Sequence, residues 1–388
     1  MEIYKLIPAA KSYVWGGRKL KEKYGKESNG DTIAETWELS VHPDGVSTLS
    51  DGRKLTDLPE SFFGDNVRNR GFFPVLIKFI DAAAPLSVQV HPKDEYAIKN
   101  ENSLGKTETW YVAEADEGAG IYLGLKEDTD AKTFLAAIES GKVEKLLNFY
   151  RVKAGESYFI PAGTVHAIGK GCLMLEIQQN SNLTYRVYDY DRTDANGNKR
   201  PLHVEKALAV TDFKKFSPVS GCGNAVGRSK YFTAIGYSVA DKTFFADERS
   251  FACVSCVKGA GKIEGRDLCL GDSYFIPAGY GDYRIEGDCD IVITTVRKYA
   301  LGFAEVSGKI FGGLVSDDGN IVAKASADIE GENARTVIEK LETRLLLKAG
   351  MNASDVLGKG SITCEKGGES TKCVSEELII KAAASQLN

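Results

Sequence analysis

The chain contains only four histidines, His42, His91, His166 and His203, and two of them sit where a metal ion would draw on them. In Ser87-Val-Gln89-Val-His91-Pro92 the Gln and the His are two residues apart in a strand-like stretch, so both side chains leave the same face. His166 follows the corner Pro161-Ala-Gly163. Glu108, in Gly105-Lys-Thr-Glu108-Thr-Trp110, opens a further strand-like stretch and supplies a carboxylate. Gln89, His91, Glu108 and His166 form a mixed nitrogen and oxygen donor set. Such a set suits one borderline divalent ion such as Zn2+ better than Ca2+ or Mg2+, which prefer all-oxygen shells. His42 lies in a similar Val-His-Pro but follows Glu38 and Ser40, and is read as structural. His203 follows Arg200-Pro-Leu, opens a predicted helix, and is not read as a ligand.

The elements that must position these residues show up as a repeat. Gly155-Glu-Ser-Tyr-Phe-Ile-Pro-Ala-Gly163 recurs as Gly271-Asp-Ser-Tyr-Phe-Ile-Pro-Ala-Gly279, with eight of nine positions identical. Two related β-units follow. The first copy continues Thr164-Val165-His166 and the second Tyr280-Gly281-Asp282, so the first unit alone carries the His. The pattern Gly155-x5-Pro161-x-Gly163-x2-His166 resembles the second signature of the cupin superfamily, which implies jelly-roll barrels with a ligand or metal inside. The fold expected is mainly β, two cupin units with helical insertions and a small α+β appendage. Boundaries are expected at 1–215 (metal-bearing unit), 216–300 (second unit) and 301–388 (appendage). Apolar spacing predicts helices over 133–138, 143–147 and 204–209, and strands over 74–80, 109–114, 173–178 and 290–296.

Composition narrows the partners. The 388 residues carry a net charge of −5, which argues against broad nucleic-acid or anionic-membrane binding. No run approaches the roughly 20 apolar residues of a membrane span. The start, Met1-Glu2-Ile3-Tyr4-Lys5, has no signal-peptide character, so a cytoplasmic protein is expected, monomeric or homodimeric. Eight cysteines without a secretion signal are expected as free thiols, and Cys253-Val-Ser-Cys256, on a strand-like stretch, as buried small residues rather than a redox or zinc pair. Trp15, Trp37 and Trp110 are expected in the core.

Seven further segments sharpen the reading. Val14-Trp-Gly-Gly17, Ala34-Glu-Thr-Trp-Glu-Leu-Ser40, Phe73-Pro-Val-Leu-Ile-Lys78, Leu86-Ser-Val-Gln-Val-His-Pro92, Gly105-Lys-Thr-Glu108, Ile160-Pro-Ala-Gly-Thr-Val-His166 and Glu176-Ile-Gln-Gln-Asn-Ser-Asn-Leu-Thr-Tyr-Arg186 stand in order over roughly residues 1–300. Together they resemble the type I mannose-6-phosphate isomerases (phosphomannose isomerases) of the short bacterial form. The resemblance implies zinc on Gln89, His91, Glu108 and His166. It implies an active-site Arg186 with Glu176 and Lys106, and phosphate contacts from Ser87, Lys78 and Arg192. The substrate class implied is a small sugar phosphate. The implied chemistry is interconversion of mannose 6-phosphate and fructose 6-phosphate by ring opening and an enediolate proton transfer between C1 and C2. Taken singly, Lys106 and Arg192 read as solvated charges, and Asp189, Asp191 and Arg192 as surface ion pairs. Other readings of the same barrel are an iron oxygenase on His91, Glu108 and His166, and a non-catalytic sugar-phosphate binder.

In the last segment, Leu314 to Val322 reads as a hairpin around Asp318-Gly319, and 333–348 and 375–387 as helices. Residues 309–350 resemble the opening hairpin and helix of a ROK-type sugar kinase. The kinase phosphate loop is replaced by Val306-Ser-Gly-Lys309, so no kinase activity is expected.

Overall fold

Two apolar runs, Val75–Ala82 and Cys172–Gln179, are buried at every position. A strand can be buried throughout only if its sheet is covered on both faces, and that requirement organises the protein. The computed structural model describes residues 1–193, 197–218, 225–296, 299–316, 321–331, 333–349, 351 and 356–363. The two runs pair antiparallel in the middle of a six-stranded sheet, flanked by Glu108–Ala115 on one side and Glu35–Leu39 on the other.

One face of this sheet looks into the first barrel. Ile80, Trp110 and Met174 pack there with Ile121, Leu123 and Ile168 of a five-stranded sheet. That sheet holds the short strands Val88–Val90, His166–Ile168 and Tyr185–Tyr188. Its outer face is capped by helices Ala131–Glu139 and Val204–Val210 through Phe134, Ile138 and Ala207. The other face of the six-stranded sheet, with Ile77, Phe79, Leu173, Leu175 and Ile177, packs on Phe232, Phe251, Cys253, Phe275 and Val292 of the second unit. The alternation of strand side chains thus sends even positions of these runs to the first barrel and odd positions to the inter-unit core.

The second unit is built on an eight-stranded sheet in which Gly281–Thr295 pairs with both Thr233–Ala246 and Ala252–Ile263. The N-terminal strand Tyr4–Ile7 joins this sheet beside Ser273–Ile276. The repeat is structural as well as sequential. Ser157–Ile160 pairs with Glu108 to Tyr111, and Ser273–Ile276 pairs with Ala252 to Ser255, in the same register. Ala252 therefore occupies the place of Glu108, and Asp282 that of His166. The glycines bounding both copies have φ of +75° to +93°, a left-handed turn conformation that disfavours side chains with a Cβ. The second barrel is filled by Val254, Ile263, Ile276, Tyr283, Ile285 and Ile291.

The mainly β, cupin expectation is what the structure has. Cys253 and Cys256 are buried free thiols in different core clusters. The helix expected over 143–147 is instead a single 3-10 turn, Val143–Leu146, running into strand Leu147–Arg151, because Gly141 at φ +64° ends the preceding helix abruptly. Among the described residues no helix is long and apolar enough to cross a membrane.

The C-terminal residues form a separate four-stranded sheet, Tyr299–Val306, Lys309–Ser316, Ile321–Asp328 and Val356–Thr363, the last parallel to the first. Helix Ala334–Ala349 lays Val337, Leu341 and Leu345 on it, and Asn333 Oδ1 caps it by accepting from Thr336 N at 2.9 Å. Val306 and Lys309 are joined by Ser307 and Gly308, both left-handed, a two-residue hairpin turn too tight to cradle a phosphate. The predicted turn at Asp318-Gly319, the predicted helix 375–387, and Cys222, Cys364 and Cys373 lie outside the described residues.

Leu175 is fully buried between the two units. Leu175→Ala is expected to cost about 2–5 kcal/mol, read by urea unfolding. An unchanged midpoint would show that the two sheets do not depend on this packing.

Candidate active site and metal centre

Two register rows face each other inside the first barrel. In the five-stranded sheet Arg186, Gln89 and His166 are successive partners on adjacent strands. In the six-stranded sheet the row is Trp37, Lys78, Glu176, Trp110 and Tyr158. Cross-strand partners on one face lie about 5 Å apart, so each row is a continuous line of side chains.

His91 Nε2 lies 3.1 Å from His166 Nε2 and 3.5 Å from Glu108 Oε2, and His166 Nε2 lies 3.3 Å from Glu108 Oε1. The Gln89 amide is 3.4 Å from His166 Nε2. His91 Nδ1 faces the Leu183 carbonyl at 2.7 Å and His166 Nδ1 the Thr164 carbonyl at 2.8 Å. A carbonyl only accepts, so both Nδ1 atoms carry the proton and both Nε2 atoms present lone pairs to each other. Burial, reinforced by the Lys106 ammonium, pushes His166 down to about 4 and His91 well below its ordinary value, leaving both in the neutral, ligating form. Glu108 Oε1 is buried and has no hydrogen-bond donor among the described residues. Burial and the Glu176 charge push the Glu108 carboxyl up to about 7, so this group gains from added positive charge. Opposed lone pairs and an orphaned carboxylate oxygen are what a divalent cation satisfies, and the donor set fits one. His91, Glu108 and His166 are the one such cluster of His, Cys, Asp and Glu among the described residues.

The charges behind the cluster alternate. Lys106 ion-pairs with Glu108 and lies 3.5 Å from Glu176 and 3.2 Å from His91 Nε2. Lys78 lies 3.6 Å from Glu176 and 3.4 Å from Glu35. All five charged groups are nearly or fully buried. Burial alone would push Glu176 up, but Lys106 and Lys78 outweigh it and hold the carboxyl below the usual range. The three tryptophans are buried as expected, and two do more than fill space. Trp110 Nε1 donates to Glu176 at 2.9 Å and Trp37 Nε1 to Glu35 at 2.7 Å.

Glu35, Lys78, Lys106 and Glu176 line a cavity of about 240 Å³ that also exposes Tyr13, Trp15, Ser87, Asn182, Thr184, Arg186 and Arg200. The Nε of Arg186 is shielded from solvent and has no hydrogen-bond acceptor among the described residues, while a terminal nitrogen donates to the Pro201 carbonyl at 2.9 Å. Burial and the neighbouring Arg200 lower the Arg186 guanidinium from its ordinary value.

The sequence-derived set divides here. Gln89, Ser87, Lys78, Lys106, Glu176 and Arg186 line the cavity, and His91, Glu108 and His166 stand together behind it. Lys106 is buried, contrary to its reading in isolation as a solvated charge. Arg192 does not line the cavity. It is turned to Asp189, to the Pro85 carbonyl at 2.5 Å and over the Tyr190 ring. Arg200, not singled out in the sequence, lines it instead, with Asp189 gripping its guanidinium at 2.5 and 2.7 Å. Nothing local to Lys199-Arg200-Pro201 marks Arg200. Glu35, Asn182 and Thr184 lie inside segments that carry the family resemblance, but only their placement gives them a role. His42 packs edge-on to Trp37, away from the cluster, and His203 Nδ1 accepts from the Arg186 backbone N–H at 3.2 Å.

Residues 3–119 match the family description "Phosphomannose isomerase type I, catalytic domain" and residues 223–296 "Mannose-6-phosphate isomerase, cupin domain". The probable mannose-6-phosphate isomerase GmuF of Bacillus subtilis is 38% identical over 308 residues, covering 74% of this chain and 98% of that protein. This chain belongs to the type I phosphomannose isomerases. The mannose-6-phosphate isomerase of Streptococcus mutans is 37% identical over 72% of this chain and 93% of its own length. The crystal structure of the Bacillus subtilis mannose 6-phosphate isomerase superposes with a TM-score of 0.68 at 33% identity, covering 76% of this chain and 99% of that one. A mannose 6-phosphate isomerase crystallised with zinc and yttrium shares the fold at a TM-score of 0.62 and 19% identity, covering 76% of this chain and 99% of that one.

The depressed His166 has a signature in the metal-free isomerase. Its folded value lies below the unfolded one, so its contribution to stability is complete above about pH 6.5 and is lost as pH falls towards 4. Between pH 7 and 4.5 the loss is roughly 2–3 kcal/mol from this group. Urea unfolding of chelated protein should show it, with a smaller fall in His166→Gln; equal falls in both would refute it.

Proposed function

We propose that this chain interconverts D-mannose 6-phosphate and D-fructose 6-phosphate, using one divalent ion, zinc by preference, held by Gln89, His91, Glu108 and His166. The observation that carries this reading is the convergence of three groups on one cavity: the opposed imidazole lone pairs with the orphaned Glu108 oxygen, the ionised Glu176, and the unpartnered Arg186 Nε. Relatives bearing the isomerase name, at up to 38% identity over most of their length, support it. A mannose 6-phosphate isomerase of the same fold crystallised with zinc supports the choice of metal.

When bound, the metal supplies a Lewis acid that polarises substrate oxygens. The remaining work falls to the chain. Ring opening exposes the C1 aldehyde of mannose 6-phosphate. A carboxylate, Glu176, accepts the C2 proton; the C2–H electron pair forms the C1=C2 bond and the carbonyl pair moves to O1. The O2 proton passes to O1, the O2 electron pair forms the C2=O bond, and the C1=C2 pair takes the proton back from Glu176 at C1, which completes the ketose. Lys106 and Lys78 keep Glu176 ionised and so able to accept. Arg186, which lines the same cavity, places a fixed positive charge against the enediolate oxygen. Ser87 and Arg200 suit the phosphate, Arg200 being pre-oriented by Asp189. Lys78, expected at the phosphate, is already matched by Glu35 and Glu176, and Arg192 acts through Asp189. Phosphate binding then holds the reacting end in place.

A coupled assay for fructose 6-phosphate tests this on protein as purified, after chelation, and after zinc is restored. Activity should vanish and return; a folded, zinc-loaded protein without turnover would sink the proposal. Arg186→Ala should lower kcat by about 10²–10³-fold. Arg200→Ala should instead raise KM by roughly tenfold or more, the scale of a lost charge-assisted hydrogen bond of about 1.5–3 kcal/mol. A kcat loss at unchanged KM would move Arg200 from the phosphate to the reacting end.

A further inference from the structure

Among the described residues the second unit adds no member to the candidate metal cluster, yet it is tied to the chain on both sides of Glu108, directly at Thr109 and through Asp94 ahead of it. We propose that its segment Val226 to Tyr231 is a brace that sets the position of Glu108, so that the barrel without a metal site holds the other barrel's site in register; this rests on reading Glu108 as a metal ligand.

Ahead of Glu108 the tether runs through Asp94. The Tyr231 hydroxyl donates to Asp94 Oδ2. Asp94 Oδ1 accepts from Gly105 N and from Gln179 Nε2, each at 2.8 Å. Gln179 Oε1 in turn accepts from Thr107 N at 2.8 Å. The backbone amides three residues and one residue before Glu108 are thereby anchored to a tyrosine of the other unit. Behind Glu108, the Thr109 hydroxyl lies 2.8 Å from the Val226 carbonyl and 3.1 Å from that of Tyr158. A Cβ on Gly227 would fall 2.5 Å from the Thr109 side chain, so the second unit's backbone approaches as closely as it does only because residue 227 is glycine. Tyr231, Gln179 and Thr109 are buried and Asp94 is half-buried, at the edge of a cavity that Asp94, Thr107, Gln179 and Tyr231 line together.

Groups hydrogen-bonded directly to a metal ligand typically cost about 10–100-fold in metal affinity or activity when lost; Tyr231, two hydrogen bonds from the Gly105 amide, is expected at the low end of that range. Tyr231 is therefore a positioning residue. If it served only to glue the two units together, any comparable contact between them would matter equally to the site. Asn66 supplies the comparison: its Nδ2 donates to the Val296 carbonyl at 2.9 Å, a buried contact between the units that involves no site residue.

The experiment compares the zinc-loaded wild-type protein with Tyr231→Phe and Asn66→Ala. Tyr231→Phe removes one oxygen and keeps the ring. It should speed hydrogen exchange of the Gly105 and Thr107 amides about tenfold, speed zinc release to a chelator about tenfold, and lower kcat more than it changes KM. Asn66→Ala should lower the melting temperature at least as much without altering exchange at those amides or zinc release. Asp94→Asn should resemble Tyr231→Phe, and the double variant should be little worse than either alone. Wild-type exchange and release rates in Tyr231→Phe would overturn the brace, as would the same losses in Asn66→Ala. If the loop loosens in Tyr231→Phe while even the wild-type protein takes up no zinc, the brace stands and the metal reading falls.

Discussion

Charge buried inside a barrel of hydrocarbon side chains survives only beside charge of the opposite sign, and the first unit is arranged around that demand. Glu35, Lys78, Glu176, Lys106 and Glu108 alternate in sign from the barrel wall to the histidine pair. Removing one member of such a chain leaves its neighbour uncompensated, at a cost of about 3–5 kcal/mol, so the set stands or falls together. The alternation also sets the chemistry. It holds Glu176 ionised and ends on a carboxylate with an oxygen to spare, while burial, reinforced by Lys106, leaves both histidines neutral. The sheet register keeps the order: Lys78 and Glu176 are direct partners, with Trp110 next in the row and donating its indole N–H to the same carboxylate.

Such a site needs a wall that does not give, and the double burial of the six-stranded sheet supplies it. Along its two central strands the odd-numbered apolar positions are committed to the second unit and the even-numbered ones to the first barrel. The second unit has kept the strand, the corner and the left-handed glycines of the repeat. It has Ala252 and Asp282 where the first has Glu108 and His166, and its interior is closed by aliphatic and aromatic side chains. The duplicate has thus become packing surface for its twin. The C-terminal sheet, with its own core around Leu301, Phe303, Leu314 and Leu345, is a third body whose tight Ser307-Gly308 turn replaces any phosphate-binding loop.

How much of this was legible beforehand follows from how local each feature is. Gln89 and His91 share a face because strand side chains alternate, and that is written in a spacing of two. The duplicated Gly-to-Gly segment announced two β-units, because left-handed turns need glycine wherever they recur. The apolar stretches 74–80 and 173–178 announced strands, but that both faces of their sheet are covered came only from the structure. The choice between Arg192 and Arg200 was not legible: both lie in one polar loop, and Asp189, which grips both, decides by its position which of them lines the cavity. Nor did sequence distinguish a tryptophan that fills space from one whose N–H steadies a carboxylate.

The sequence by itself determined most of the elements and the donor types of the candidate cluster, since these depend on residue chemistry and on spacings of a few residues. Only the tertiary structure decided which charges neutralise which, which arginine reaches the cavity, and that Tyr231 stands 137 residues from the Asp94 it holds. Charge pairing and hydrogen bonding act over a few ångströms in space whatever the distance along the chain, so they become readable only once the sheets have brought the strands together.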